Sequence, residues 1–155
     1  MTVERRTVLK GLLGAGVGAA TLGAPAVLRA QAAPIRVGFM TVKTGPLASG
    51  GIQMEQALLL YLKERNNMLA GRPVELYTAD PGGAPAVART KMQELVDRNK
   101  ISCLIGPLST QEALAIDDYI RNSQIPTLSV AAAEDMTQRR ANPWFVRVTS
   151  SSAQC

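Results

Sequence analysis

With 155 residues, 46% of them hydrophobic and 19% charged, the chain has room for one compact domain and the composition of a globular fold, not of a disordered or fibrous one. The formal charge of +5 is concentrated at the start: residues 1–32 hold Arg5, Arg6, Lys10 and Arg29 against Glu4, and the remainder carries 13 basic and 11 acidic groups, a net of only +2. That balance, with 4% aromatic residues and no histidine, excludes a nucleic-acid footprint, Cys–His nucleophile pairs and histidine zinc sites, so no cofactor, metal or nucleic-acid partner is expected.

Residues 4–10, Glu-Arg-Arg-Thr-Val-Leu-Lys, precede a Gly/Ala/Leu-rich stretch from Gly11 to Ala26 and then Ala30-Gln31-Ala32. A charged start, a short apolar middle and a small-x-small end make the three-part pattern of a cleaved signal, with Ala30 and Ala32 at the cleavage site and removal after Ala32. The apolar part is too short and glycine-rich for a span, which needs ~20 consecutive apolar residues. Arg5 and Arg6, with Leu9 and Lys10 behind them, resemble the twin-arginine pattern read by the translocase that exports folded proteins, with Glu4 and Val8 as departures from it. The organisation expected is therefore a signal over 1–32 and one α/β lobe over 33–155.

After Pro34, strand-like runs alternate with helical patterns, the order that builds a parallel sheet with helices on its faces. Ile35–Met40 reads as the first strand and 41–51 as a Gly/Pro-punctuated loop. A helix is expected from Ile52 to Met68, stopped by Gly71 and Pro73, then a second strand over Val74–Thr78. Asp80-Pro81-Gly82-Gly83 reads as a turn, and 84–98 as a second helix with Val87, Met92, Leu95 and Val96 on its inner face. Ile101–Ile105 is a continuous apolar run, read as a strand buried on both faces with Cys103 as a small buried hydrophobe. Gly106–Thr110 turns the chain into a third helix reaching about Arg121, with Ser109 or Thr110 suited to cap its first turn. Strands over Pro126–Val130 and Trp144–Val148 complete a doubly wound sheet of order 2-1-3-4-5.

In such a sheet, ligands bind beyond the carboxyl ends of the strands where the strand order reverses. For this order, loops 41–51 and 106–110 face each other there. The mouth of the third helix, with unpaired N–H groups and the positive end of a dipole, suits a carboxylate, although Ser and Thr at that point also serve as plain caps.

Thr44-Gly45-Pro46, Ile105 to Thr110, Ile125 to Ser129, Phe145-Val146-Arg147 and Ser150 to Gln154, in this order and spacing, resemble the Leu/Ile/Val-binding family of type I periplasmic receptors over residues 35–154. The resemblance implies the first of two lobes that close on a small solute and deliver it to an ABC permease in the inner membrane. It implies that Thr110 sits where a hydroxyl and backbone N–H receive the ligand carboxylate, with Ser109 beside it, that Ala131 and Ala133 occupy the positions of a main-chain carbonyl and a Thr contact, and that Gly50 stands where amino-acid binders carry an aromatic ring. Lacking that ring and that hydroxyl, the lobe is expected to take an aromatic or aliphatic carboxylate or an amide as readily as an amino acid. The same resemblance places the end of the chain near the hinge, as a lobe truncated before its partner.

Three other readings compete with a periplasmic receptor. One is a ligand-sensing domain of a regulator, a second is a truncated fragment without function, and a third is a flavodoxin-like enzyme. Against the enzyme, Asp80 has no companion acid in the nearby sequence, Asp117-Asp118 reads as a solvated helix face, and no phosphate-loop motif is present. Arg139-Arg140 reads as a solvated pair and Arg147 as part of a structural ion pair.

Overall fold

The structure is a computed structural model in which residues 33–151 and Gln154 are described. The expected leader, with Arg5, Arg6, Ala30 and Ala32, lies outside them, as does Cys155. The elements are β1 (Ile35–Met40), α1 (Ala48–Glu64), β2 (Met68–Leu69), β3 (Arg72–Ala79), α2 (Pro85–Gln93), β4 (Cys103–Ile105), α3 (Thr110–Ser123), β5 (Thr127–Ser129) and β6 (Phe145–Arg147). π-helical turns at Glu94–Arg98 and Asp135–Arg139 follow α2 and β5.

The sheet runs β2-β3-β1-β4-β5-β6, every pairing parallel except β2 with β3. The five expected strands are present in the expected order. β2 is an addition, because the first helix ends at Glu64 instead of continuing to Met68. Asn66 and Asn67 stand at φ +54° and +53°, and the Asn67 N–H donates to Leu62 O at 2.8 Å, so the chain turns out of the helix there. Ala70 and Gly71, both at positive φ, then form a two-residue hairpin that lays Met68–Leu69 against Arg72–Pro73.

α2 and α3 pack on each other and share one core against the sheet, and α1 lies apart from that core, as right-handed crossovers of this order require. The α2/α3 side holds the main core, in which Met40, Met92, Leu104, Ile116 and Ile120 are fully buried. Arg89 of α2 latches the pair from outside, donating to Ala115 O at 2.9 Å and to both Asp118 oxygens, and the guanidinium holds the Asp118 carboxyl below its usual range. The inner face of α2 differs from expectation at one position: Val87 is exposed and Ala88 is buried in its place. Asp117 is also not a solvated group, being buried with its carboxylate held by Asn142 Nδ2 at 2.7 Å and Arg121 Nε at 3.1 Å.

On the α1 side Val37, Phe39, Val42 and Leu62 are buried apart from the main core. The cover there is incomplete. Registered pairing gives Val37, Cys103, Ile105, Leu128 and Val146 one shared face. Along that face Leu128 is 46% and Val146 55% exposed, and on α1 Leu59 and Leu60 are exposed too. β4 is consequently not buried on both faces: Leu104 is, while Cys103 and Ile105 are half-buried. Cys103 is a free thiol, and its partial burial raises its pKa.

Candidate ligand-binding site

Parallel strands that start together also end together, so the loops after β1, β3, β4 and β5 gather at one edge of the sheet. Each is fixed to its neighbour. Thr41 N–H donates to Ala79 O at 3.1 Å, joining the loops after β1 and β3. Gly106 N–H donates to Leu128 O at 2.7 Å, joining β4 to β5. Ser129 Oγ, buried, donates to Pro107 O at 2.6 Å and accepts from Ala131 N–H at 3.0 Å, so one hydroxyl ties the loop after β5 to the loop after β4.

Between these loops lies a hollow of about 380 Å³, walled by Thr44, Pro46 and Leu47 from the first loop, Gly82 and Gly83 from the second, and Ser109 and Thr110 from the third. The two loops expected to face each other across the strand-order reversal do so. Val42, Pro46 and Leu47 add apolar surface to a lining that also holds the hydroxyl-bearing mouth of α3.

Ser109 is the N-cap residue by backbone geometry, with extended φ −83° and ψ 136°, and its carbonyl accepts from Ala113 N–H at 3.0 Å. Its hydroxyl makes no capping hydrogen bond, so the side-chain cap expected from sequence does not form. The first turn of α3 instead carries Glu112, three residues on, in the spacing of a capping box. Glu112 is fully buried and its Oε1 accepts from Gly83 N–H at 2.8 Å, while Oε2 has no hydrogen-bond partner. Burial raises its pKa, the Gly83 and Ser109 N–H groups pull it back, and the Asp80 charge adds to the rise.

The other sequence-expected site residues sit around this hollow and not within it. Gly50 is half-buried in the first turn of α1, where a Cβ would stand 3.8 Å from Leu108 Cδ2 on the third loop. Ala133 borders a smaller hollow of about 140 Å³ together with Thr110, Leu114 and Arg139, so Thr110 touches both. Ala131 is enclosed in the main core. Arg139 pairs with Asp135 at 3.3 Å, and Arg147 makes no ion pair among the described residues.

Gly82 and Gly83 line the hollow beside Thr44 of the expected loop, and Glu112 holds Gly83 in place without lining it; neither glycine nor Glu112 is marked as such by the sequence. The glycines look like ordinary turn residues, but any loop following a strand that neighbours β1 must arrive at the same edge. Asp80 does have a companion acid, Glu112, 32 positions away in the chain and close enough to act on it through space. No group of three or more His, Cys, Asp or Glu suited to a metal ion occurs among the described residues.

Residues 34–155 match the family of periplasmic binding proteins. The chain belongs to that family. Among curated relatives of this periplasmic binding protein, Leu/Ile/Val-binding protein homolog 6 of Brucella abortus is 26% identical over 126 residues, 81% of this chain and 32% of the relative. An ABC transporter substrate-binding protein from Sphaerobacter thermophilus is 30% identical with a TM-score of 0.73, over 78% of this chain and 33% of its own. An ABC-transporter solute-binding protein from Rhodopseudomonas palustris BisB5, solved in complex with 3,4-dihydroxybenzoic acid, is 29% identical with a TM-score of 0.72 over the same shares. The chain thus spans about a third of the length of the relatives it matches. The shared architecture is the mostly parallel α/β sheet of the type I binding proteins.

Proposed function

We propose that this chain supplies the first ligand-binding lobe of a solute receptor for an ABC importer, acting without catalysis. The solute is a small organic carboxylate, aromatic or aliphatic, amino acids and amides being the alternatives. One observation carries the reading: at the mouth of α3 the Ser109 and Thr110 hydroxyls are free of capping duty and stand with the unpaired first-turn N–H groups in the lining of a hollow that also includes apolar Val42, Pro46 and Leu47. A carboxylate would take the N–H groups and hydroxyls, where the helix dipole favours negative charge, and its hydrocarbon body would lie against Val42, Pro46 and Leu47. The aromatic acid bound by the Rhodopseudomonas palustris protein supports this class, and the name of the Brucella relatives supports a branched-chain amino acid as the second candidate.

The family supports a periplasmic location and an inner-membrane permease as partner. Arg5 and Arg6 support export by the twin-arginine translocase, with cleavage after Ala32. Replacing both arginines by lysine should leave the precursor in the cytoplasm; normal export of that variant would refute the route.

Titration calorimetry with benzoate, 3,4-dihydroxybenzoate and isoleucine tests the ligand class. A hydrogen bond to a charged group is worth about 1.5–3 kcal/mol, so Thr110→Ala should weaken a bound carboxylate roughly ten- to hundredfold. Binding at unchanged affinity in that variant removes Thr110 from the site, and silence from all three probes removes the proposed class.

A further inference from the structure

We propose that Asp80 and Glu112 are positioning residues, two carboxylates that staple the three loops around the hollow into one rim so that its walls keep their spacing when a solute enters. The inference rests on the reading that this hollow binds a solute. Asp80 Oδ1 accepts from Lys43 N–H at 3.1 Å on the first loop and from Gly82 N–H at 2.8 Å on its own loop. Glu112 Oε1 accepts from the next amide, Gly83 N–H at 2.8 Å, and so holds that same loop to the mouth of α3. Three loops that are far apart in sequence are thus linked through four consecutive residues, 80 to 83.

Neither carboxylate lines the hollow. Their partners do, or adjoin those that do: Gly82 and Gly83 form one wall, and Lys43 lies between the wall residues Val42 and Thr44. Gly82 and Gly83 stand at φ +63° and +82°, a conformation in which both N–H groups turn toward acids and which glycine alone adopts at low cost. Gly82 also sits close to the first loop, its missing Cβ only 3.1 Å from Thr44 Oγ1. Glu112 itself is an expensive group to bury, with one oxygen unpartnered, where an apolar residue would pack without penalty. Its contribution is legible only in what it holds.

Backbone amide exchange in the intact protein tests the staple, and benzoate calorimetry tests its purpose. Glu112→Ala should speed exchange at Gly83, and Asp80→Ala at Lys43 and Gly82, each on the order of tenfold for the loss of a charge-assisted hydrogen bond. The amides of Leu104 and Ile116 should keep their wild-type rates. Glu112→Gln and Asp80→Asn retain an acceptor oxygen and should restore slow exchange at the same amides. If Glu112→Ala does not fold, the Asp80 pair carries the test alone. Benzoate affinity should fall roughly three- to tenfold in the alanine variants as the rim loses its preorganisation. Unchanged exchange at Gly83 and Gly82 overturns the staple, and faster exchange with unchanged affinity overturns its positioning role. A wild-type protein that does not bind benzoate or isoleucine instead brings down the site reading, while the exchange result still decides whether the loops are tied.

Discussion

Gly50 and Gly51 are neighbours in the first turn of α1, and the structure gives alanine opposite consequences at the two positions. At Gly50 a Cβ would meet only Leu108 Cδ2 at 3.8 Å, an ordinary contact. Helix propensity then decides, and Gly50→Ala should stabilise the fold by about 0.5–1 kcal/mol. At Gly51, which is buried, a Cβ would stand 1.7 Å from Val42 O and 2.7 Å from Val42 C. Both are backbone atoms of the β1–α1 loop and no rotamer change relieves them, so α1 must move off the sheet. Overpacking of this kind costs about 1–3 kcal/mol, which outweighs the propensity gain. The displaced segment runs from Val42 to Leu47, one wall of the hollow, so ligand affinity should fall with stability in Gly51→Ala and hold in Gly50→Ala. Urea unfolding of the two variants reads the signs directly. Equal shifts in the midpoint, or a more stable Gly51→Ala, would refute the argument that the close approach of α1 to Val42 sets this part of the site.

Three further perturbations address other parts of the structure. Leu104→Ala, at a fully buried residue under α2 and α3, should cost about 2–5 kcal/mol in the same urea assay. Ala70→Asn, placing Asn-Gly in a hairpin turn where Ala70 now stands at φ +49°, should gain on the order of 0.5–1 kcal/mol in thermal unfolding. Glu112, whose folded-state pKa is raised, holds its proton more tightly in the folded chain than in the unfolded one. Its contribution is therefore greatest below its ordinary value of 4.5 and is lost as pH rises through the raised value. The stability of the wild type relative to Glu112→Gln should accordingly decline as pH rises through that window, and a flat difference would show that the carboxyl is not perturbed.

Alternation of apolar runs with helical periodicity was enough to place all five parallel strands, because each run is short, rich in β-branched and apolar residues and flanked by turn-forming or polar residues. The order itself is not written in any run of residues; it is one of the common doubly wound orders, and the pairing of β1 with both β3 and β4 agrees with it. Where the reading failed, nonlocal or conformational facts decided. Asn66 and Asn67 end α1 by adopting left-handed backbone, which their side chains tolerate but do not announce. Asp117 looked solvated because Asn142, which meets it, is 25 residues further along. At the hollow, the place of Ser109 and Thr110 in the lining was legible from helix-start chemistry, whereas the hydrogen bond that ties the α3 mouth to its neighbour loop is made by Glu112 to Gly83 N–H, a partner 29 positions away in the chain. The Gly82-Gly83 wall was hidden for a different reason: its importance comes from which loop it lies beside, and that is a property of the sheet order.

The half-open face of the sheet has a practical consequence for anyone handling this polypeptide. Leu128 and Val146, continuous with the half-buried Ile105 and Cys103, present a greasy strip to water on a layer that parallel architectures normally sandwich. Dye-binding fluorescence and clumping at high concentration would trace to that strip, and charged replacements at Leu128 and Val146 are the first remedy to try, since neither residue belongs to the lining of the hollow or to the main core.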